Sequence, residues 1–349
     1  MNIKLLAVSI AAAACGTNAF AAEIYNSEGS TLSLGGYVDV GIGEYGTSKE
    51  VEVHQVSPRL NVGGTQDLGN GITVDAKGEW ALNYLGGGDT SFTTRLGYIG
   101  ASHEQAGRIA FGTQWAPYYD IAGVADQPIA FANDFLYANH GNLATGRGDK
   151  MVTYRNSLSF AEDMSLSLGL GWQGKHSDST ETPSTGDGTV TVTRSTAEYD
   201  ARGQVAVSFS AMGASLGYVY NSGDVDNTKA KSHAVSLKYG SYGDGIYGAL
   251  VYADNKNFYK SYYESNQYEA LLAYGLGNGL NLSANYEKVE GKTSSTAAKA
   301  KEFSQSAVQA EYSFTPNLVG FAGYQFDLGD DDPSTKDEDK WTFGARYFL

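Results

Sequence analysis

Cysteine is nearly absent from this chain of 349 residues: the single one, Cys15, sits in an N-terminal apolar run, so no disulfide framework holds the fold. Proline is scarce at 6. No stretch beyond residue 21 approaches the ~18 consecutive apolar residues of a membrane-crossing helix, and none carries a sustained i, i+3, i+4, i+7 apolar stripe. A basic excess is missing as well. Lys and Arg number 24 against 39 Asp and Glu, giving a formal charge of −15, which excludes nucleic acid because polyanions bind basic surfaces. His54, His103, His140, His176 and His233 fall in different segments, none beside a nucleophile and an orienting acid, so no catalytic centre, metal site or cofactor is implied. A repeating unit is absent too, which sets aside propellers and solenoids.

What is abundant is glycine, at 44, and tyrosine, at 25, a composition suited to sheets with tight turns and interfacial aromatics. Lys4 precedes an apolar run from Leu5 to Cys15, and Ala19, Phe20 and Ala21 form a small-x-small cleavage pattern, so residues 1–21 are expected to be a signal peptide and 22–349 one exported domain. Ala12, three residues before Cys15, is smaller than the aliphatic residue a lipoprotein signal would place there.

Period-two alternation runs through the rest of the chain. In "GITVDAKGEWALNY", Ile72, Val74, Ala76, Trp80 and Leu82 share one face, and Thr73, Asp75, Lys77 and Glu79 the other. About sixteen such segments of ~10 residues follow one another, as a tilted membrane strand requires. Short connections such as "LGNG", "AED" and "TPN" alternate with long ones, at 116–146, 175–197, 291–302 and the acidic 329–340. This predicts an all-β, up-and-down antiparallel transmembrane barrel with short turns at one end and elaborated loops at the other.

A barrel of that size is too wide for its own side chains to fill, so the lumen holds water and the polar face turns inward. One parity assignment sends Arg59, Asp75, Lys77, Glu79, Arg95, Arg108, Arg202, Gln204, Glu269, Asn285, Gln309 and Glu311 into the lumen. The opposite assignment would set arginines against lipid at ~2 to 4 kcal/mol each near the midplane.

The stretches "AEIYNSEG", "PRLNVGGTQDLGNGITVDAKGEW", "TRLGYIG" and "MVTYRNS", with the aromatic-rich last strand, closely resemble the general diffusion porins of the Gram-negative outer membrane, the Vibrio-type members above all. The resemblance implies a sixteen-stranded barrel, a homotrimer, and a passive pore for small hydrophilic solutes. It also implies a place among outer-membrane lipid and lipopolysaccharide, and insertion by the barrel-assembly machinery. The third external loop, 116–146, is then expected to fold into the lumen. Its acids Asp120, Asp126 and Asp134 would face a basic wall of Arg59, Arg95 and Arg147, with Lys77 at similar depth by strand count. The family's Pro-Glu-Phe-Gly-Gly run is replaced after Pro128 by Ile129, Ala130 and Phe131, leaving Asp126 as the best-aligned acid, and Tyr37 stands where many relatives carry lysine. Phe343, Tyr347, Phe348 and Leu349 form the expected assembly signal, with Leu349 in place of the usual terminal phenylalanine. Net charge points to weak cation selectivity.

Two other functions fit a barrel. A sugar-specific channel would need an aromatic slide, for which "FANDFLY" is the candidate, and a barrel enzyme would need the catalytic constellation that the histidines do not form. The loop 329–340 has carboxylates suited to divalent cations but reads first as a solvated loop.

Overall fold

The computed structural model describes residues 22–46, 50–86, 92–186, 189–260, 262–331 and 338–349. The expected leader and residues 332–337 of the acidic loop 329–340 lie outside these residues. Among the described residues no helix is long and apolar enough to cross a membrane.

The strands in chain order are β1 (Ala22–Ser27), β2 (Ser30–Glu44), β3 (Glu52–His54), β4 (Arg59–Gly69), β5 (Ile72–Leu82), β6 (Phe92–His103) and β7 (Gly107–Trp115). After the loop 116–146 come β8 (Arg147–Ala161), β9 (Met164–Gln173), β10 (His176–Gly186), β11 (Thr189–Tyr199), β12 (Arg202–Ala211), β13 (Ala214–Val225) and β14 (Thr228–Ser241). The last six are β15 (Asp244–Lys256), β16 (Glu264–Gly275), β17 (Leu280–Lys292), β18 (Ala300–Thr315), β19 (Leu318–Asp327) and β20 (Lys340–Phe348). All pairings are antiparallel, and sixteen of the strands are the staves of a closed barrel.

The other four are accessories. β10 and β11 pair with each other as a hairpin projecting between staves β9 and β12. β3 extends the line of β4 along one edge of β2. β1 extends the line of β20 along the other edge, with Ala22 opposite Leu34 where Phe348 is opposite Tyr37. First and last segments therefore close the cylinder, which leaves no open edge among the staves.

Tight turns follow from residues that accept positive φ. Asn70 and Gly71, at φ 53° and 77°, join β4 to β5 as a two-residue hairpin turn. Loop lengths depart from strict alternation at one place. β13 and β14 are joined at the loop end by Asp226 and Asn227, φ 49° and 60°, so that hairpin is tight at that end too.

The face assignment is visible in exposure. Ile99, Leu250, Leu272 and Phe343 are more than half exposed on the outside, whereas Lys77, Glu79, Arg108, Arg202, Glu269 and Arg346 are buried within. Strict parity counted from Arg95 would turn Ile99 inward. A β-bulge prevents this: Glu79 is opposite Leu96 and Trp80 is opposite Thr94, leaving Arg95 as the extra residue. The lumen is not uniformly polar either. Ala206, Val219, Ala234, Ala249 and Leu271 line one arc of wall, and the inserted loop packs its Tyr118, Ile121, Phe135 and Leu136 against them.

Replacing Leu250 with Arg puts a charge against hydrocarbon and is expected to lower barrel stability by ~2 to 4 kcal/mol in denaturant unfolding in lipid vesicles. Thr65→Arg, on the inner face opposite Asp75, should stay within about 1 kcal/mol of the parent.

Candidate pore constriction

The loop 116–146 leaves the wall after β7 and returns at β8, its base bridged by Ala116 N–H donating to the Gly146 carbonyl at 2.9 Å. Pro117 starts helix α1 (Pro117–Ala122), where its missing N–H costs nothing. Helix α2 (His140–Leu143) lies near the return.

The loop's polar backbone is satisfied by inward side chains of the wall. Gln204 accepts from Tyr118 N–H at 3.1 Å and donates to the Ala144 carbonyl at 2.6 Å. Asn221 donates to the Leu143 carbonyl at 2.7 Å and the Tyr247 hydroxyl to Val124 at 2.6 Å. Across the arc, Glu311 accepts Ile129 N–H at 2.7 Å, Gln309 accepts Phe131 N–H at 3.0 Å, and Glu287 accepts Asp134 and Phe135 N–H at 3.2 and 2.7 Å. Glycines make room for the seat: a Cβ on Gly217 would stand 2.9 Å from Ile121, and one on Gly323 2.9 Å from Phe131.

On the opposite arc the basic residues gather around Glu79. Its Oε1 accepts from Arg95 Nε at 2.8 Å and lies 3.8 Å from Arg59 Nη1, while Lys77 Nζ is 3.9 Å from its Oε2. Arg147 is within electrostatic reach of Arg95, Arg59 and Glu79. Tyr37 carries Arg59 and Arg346 against its ring, 4.7 and 4.0 Å from the centroid, a cation–π arrangement in place of a further cation. Arg346 is held by Asp39 at 2.8 Å.

Of the three loop acids, Asp126 lies toward this wall, within electrostatic reach of Arg59 and Arg95. Tyr119 and Tyr137 donate their hydroxyls to it at 2.8 and 2.6 Å. Burial raises its pKa and outweighs those two hydroxyls and the arginines, so it takes up a proton at higher pH than an ordinary aspartate. Asp120 turns elsewhere and forms a two-point pair with Arg155, 2.7 and 3.1 Å. Asp134 stays by Glu287, with Lys340 and Lys260 as the cations in reach. Phe131, Phe135 and Leu136 of "FANDFLY" are buried against the wall, and Tyr137, half-buried, has Arg147 5.8 Å from its ring centroid.

Glu79, Arg346 and Arg155 are the members that spacing did not single out. Glu79 carried a signal, being inward by parity two residues from Lys77, but its contact with Arg95 depends on the bulge. Among the described residues no group of three or more His, Cys, Asp or Glu is placed to hold a metal ion.

The profile of the family described as Gram-negative porin matches residues 7–349. The chain belongs to the Gram-negative porins. Outer membrane porin N of Escherichia coli is 26% identical over 366 aligned positions, covering 96% of this chain and 94% of that one. Among solved structures, Salmonella typhi OmpF in complex with daunomycin matches with TM-score 0.76 at 20% identity, covering 94% and 100% of the two chains. OmpT of Vibrio cholerae matches at 0.64 and 16%, covering 94% and 100%, and has also been solved in a trimer form. This porin is a passive channel of the Gram-negative outer membrane, and its relatives are channels rather than enzymes.

Glu287→Ala removes the acceptor of two loop N–H groups, at ~1 to 3 kcal/mol for each buried donor left unpaired. The expected outcome is larger and noisier single-channel current in planar bilayers, with the barrel still folded.

Proposed function

We propose that this porin passes small hydrophilic solutes and ions with a weak preference for cations. The waist has Arg59, Lys77, Arg95 and Arg147 on one side and Asp126 leading the other; Asp134 adds negative charge from the flank, while the charge of Asp120 is offset by Arg155. The observation that carries this reading is the seating of the loop: it is fastened to one arc of wall and turns Asp126 toward the opposite arc, where Arg59 and Arg95 stand.

Opposed charges across a narrow passage orient water within it, and compact polar solutes keep that water while bulky apolar ones must displace it. No energy source enters. Glu79 offsets part of the basic wall, and with the chain at −15 overall the balance favours cations weakly. As Asp126 protonates on acidification the negative side weakens, so cation preference falls with falling pH.

The trimer form of the related OmpT supports assembly of three copies of this chain, set among outer-membrane lipid and lipopolysaccharide. The barrel-assembly machinery would read the last strand. Phe343, Tyr347 and Leu349 face outward there, while Phe348 turns in against Tyr37 with ring centroids 5.5 Å apart. Leu349 N–H donates to the Gly36 carbonyl at 3.0 Å, so leucine holds the terminal position in the ladder. Cleavage of residues 1–21 would precede insertion.

Arg59→Ala and Arg95→Ala each remove a cation from the waist. Reversal potentials under a salt gradient should move toward cations and conductance should rise; unchanged values in both variants would take these residues out of the constriction. Closure of purified channels in three equal steps is the expected record of a trimer, whereas a single step would show a lone pore.

A further inference from the structure

His140 begins α2 on the constriction loop, half-buried, with both ring nitrogens engaged. Arg147 Nη2 stands 2.9 Å from its Nε2, and its Nδ1 is 3.0 Å from the Tyr137 carbonyl oxygen. A guanidinium can only donate and a carbonyl oxygen can only accept. The two contacts together therefore fix the tautomer: the proton is on Nδ1, the lone pair is on Nε2, and the ring is uncharged. The same guanidinium lies 5.5 Å from the Trp115 ring centroid and 5.8 Å from that of Tyr137, whose hydroxyl donates to Asp126. The imidazole lone pair thus holds Arg147 on the arc shared with Arg59 and Arg95.

We propose that His140 positions Arg147 and makes the ion selectivity of the pore depend on pH. The neutral ring anchors the guanidinium. The imidazolium has no lone pair to offer, so it releases Arg147 and adds a second positive charge beside it. This rests on the reading that Arg147 lines the constriction.

The groups facing the ring set where this happens. Burial is the largest influence and disfavours the charged ring; Arg147 on β8 and Arg95 on β6 act in the same direction. The Tyr137 carbonyl and Asp149 on β8 oppose them, and the net result holds the imidazole pKa below its ordinary value. The ring is accordingly neutral near neutrality and charges in the acid range. The released guanidinium keeps its charge within the lumen and protonation adds one more beside it, so acidification moves selectivity toward anions.

The test is the reversal potential under a potassium chloride gradient, from about pH 8 to about pH 5, for the parent, His140→Gln and Arg147→Ala in planar bilayers. Glutamine keeps an oxygen that can accept from Arg147 but cannot titrate. The parent should shift toward anions as pH falls. The glutamine variant should show a clearly smaller shift, the remainder belonging to carboxylates such as Asp126. Arg147→Ala should move the potential toward cations at about pH 8. A parent-like pH profile in His140→Gln, with Arg147→Ala active, would overturn the role of His140 and leave the constriction intact. An Arg147→Ala channel indistinguishable from the parent at the alkaline end would overturn both. Heat-modifiable electrophoretic mobility reports folding. Should the glutamine variant fail to assemble, His140→Ala, lacking acceptor and charge alike, must give the same flattened profile.

Discussion

Inside hydrocarbon no water is available to the peptide groups, and every N–H and C=O left unpaired costs several kcal/mol. That constraint fixes the rest of this porin. Sixteen staves must each be paired on both edges, so the chain ends have to meet, and β1 and β20 share the edge of β2 to complete the ladder. Closure at this circumference leaves a lumen that side chains cannot fill. Both consequences, the greasy exterior and the wet interior, come from hydrogen bonding before any question of solute arises.

A wide wet cylinder selects little, and narrowing it brings the same constraint back in another form. A loop laid across the lumen loses water from part of its backbone. The wall answers with carboxylate and amide side chains, Glu287, Gln309, Glu311, Gln204 and Asn221, each directed at a loop N–H or C=O. Between these anchors the wall changes character, to alanine, valine and glycine, so that Tyr118, Ile121 and Leu136 bury apolar surface there. Apolar contact sets how closely the loop approaches, and the polar anchors set its register along the strands.

Parity made much of this legible in the sequence. Alternation in the stretch from Ile72 to Leu82 is strict, and the penalty for a charge in lipid chooses its inner face, so the positions of Lys77 and Glu79 follow without a structure. What escaped depends on contacts between segments distant in sequence. No local pattern announces the bulge that turns both Arg95 and Leu96 toward the interior, and without it the Arg95–Glu79 pair cannot be drawn. Nor does spacing show that Asp120 meets Arg155 across the loop base rather than the basic wall. The two-residue turn at Asp226 and Asn227 was written in residues that tolerate positive φ, yet the expectation of long loops at that end concealed it.

The basic arc illustrates why like charges gathered on a barrel wall carry compensating charge. Arg59, Lys77 and Arg95 crowded together in a partly desolvated wall would repel one another strongly, since the low effective dielectric there magnifies like-charge terms. Glu79 beneath them relieves that repulsion and also fixes side chains that would otherwise swing with the current. Tyr37 does comparable work for Arg59 and Arg346 with a ring in place of a carboxylate, adding no charge of its own. Geometry and field are therefore tuned by different residues. Where charge partners are supplied by a carboxylate, net positive charge on the arc falls; where they are supplied by an aromatic face or a neutral imidazole, the guanidinium stays fixed and the charge remains. The mixture found here leaves the arc partly neutralised by Glu79 and otherwise held by partners that add no charge, so positive charge and side-chain position are set independently along it.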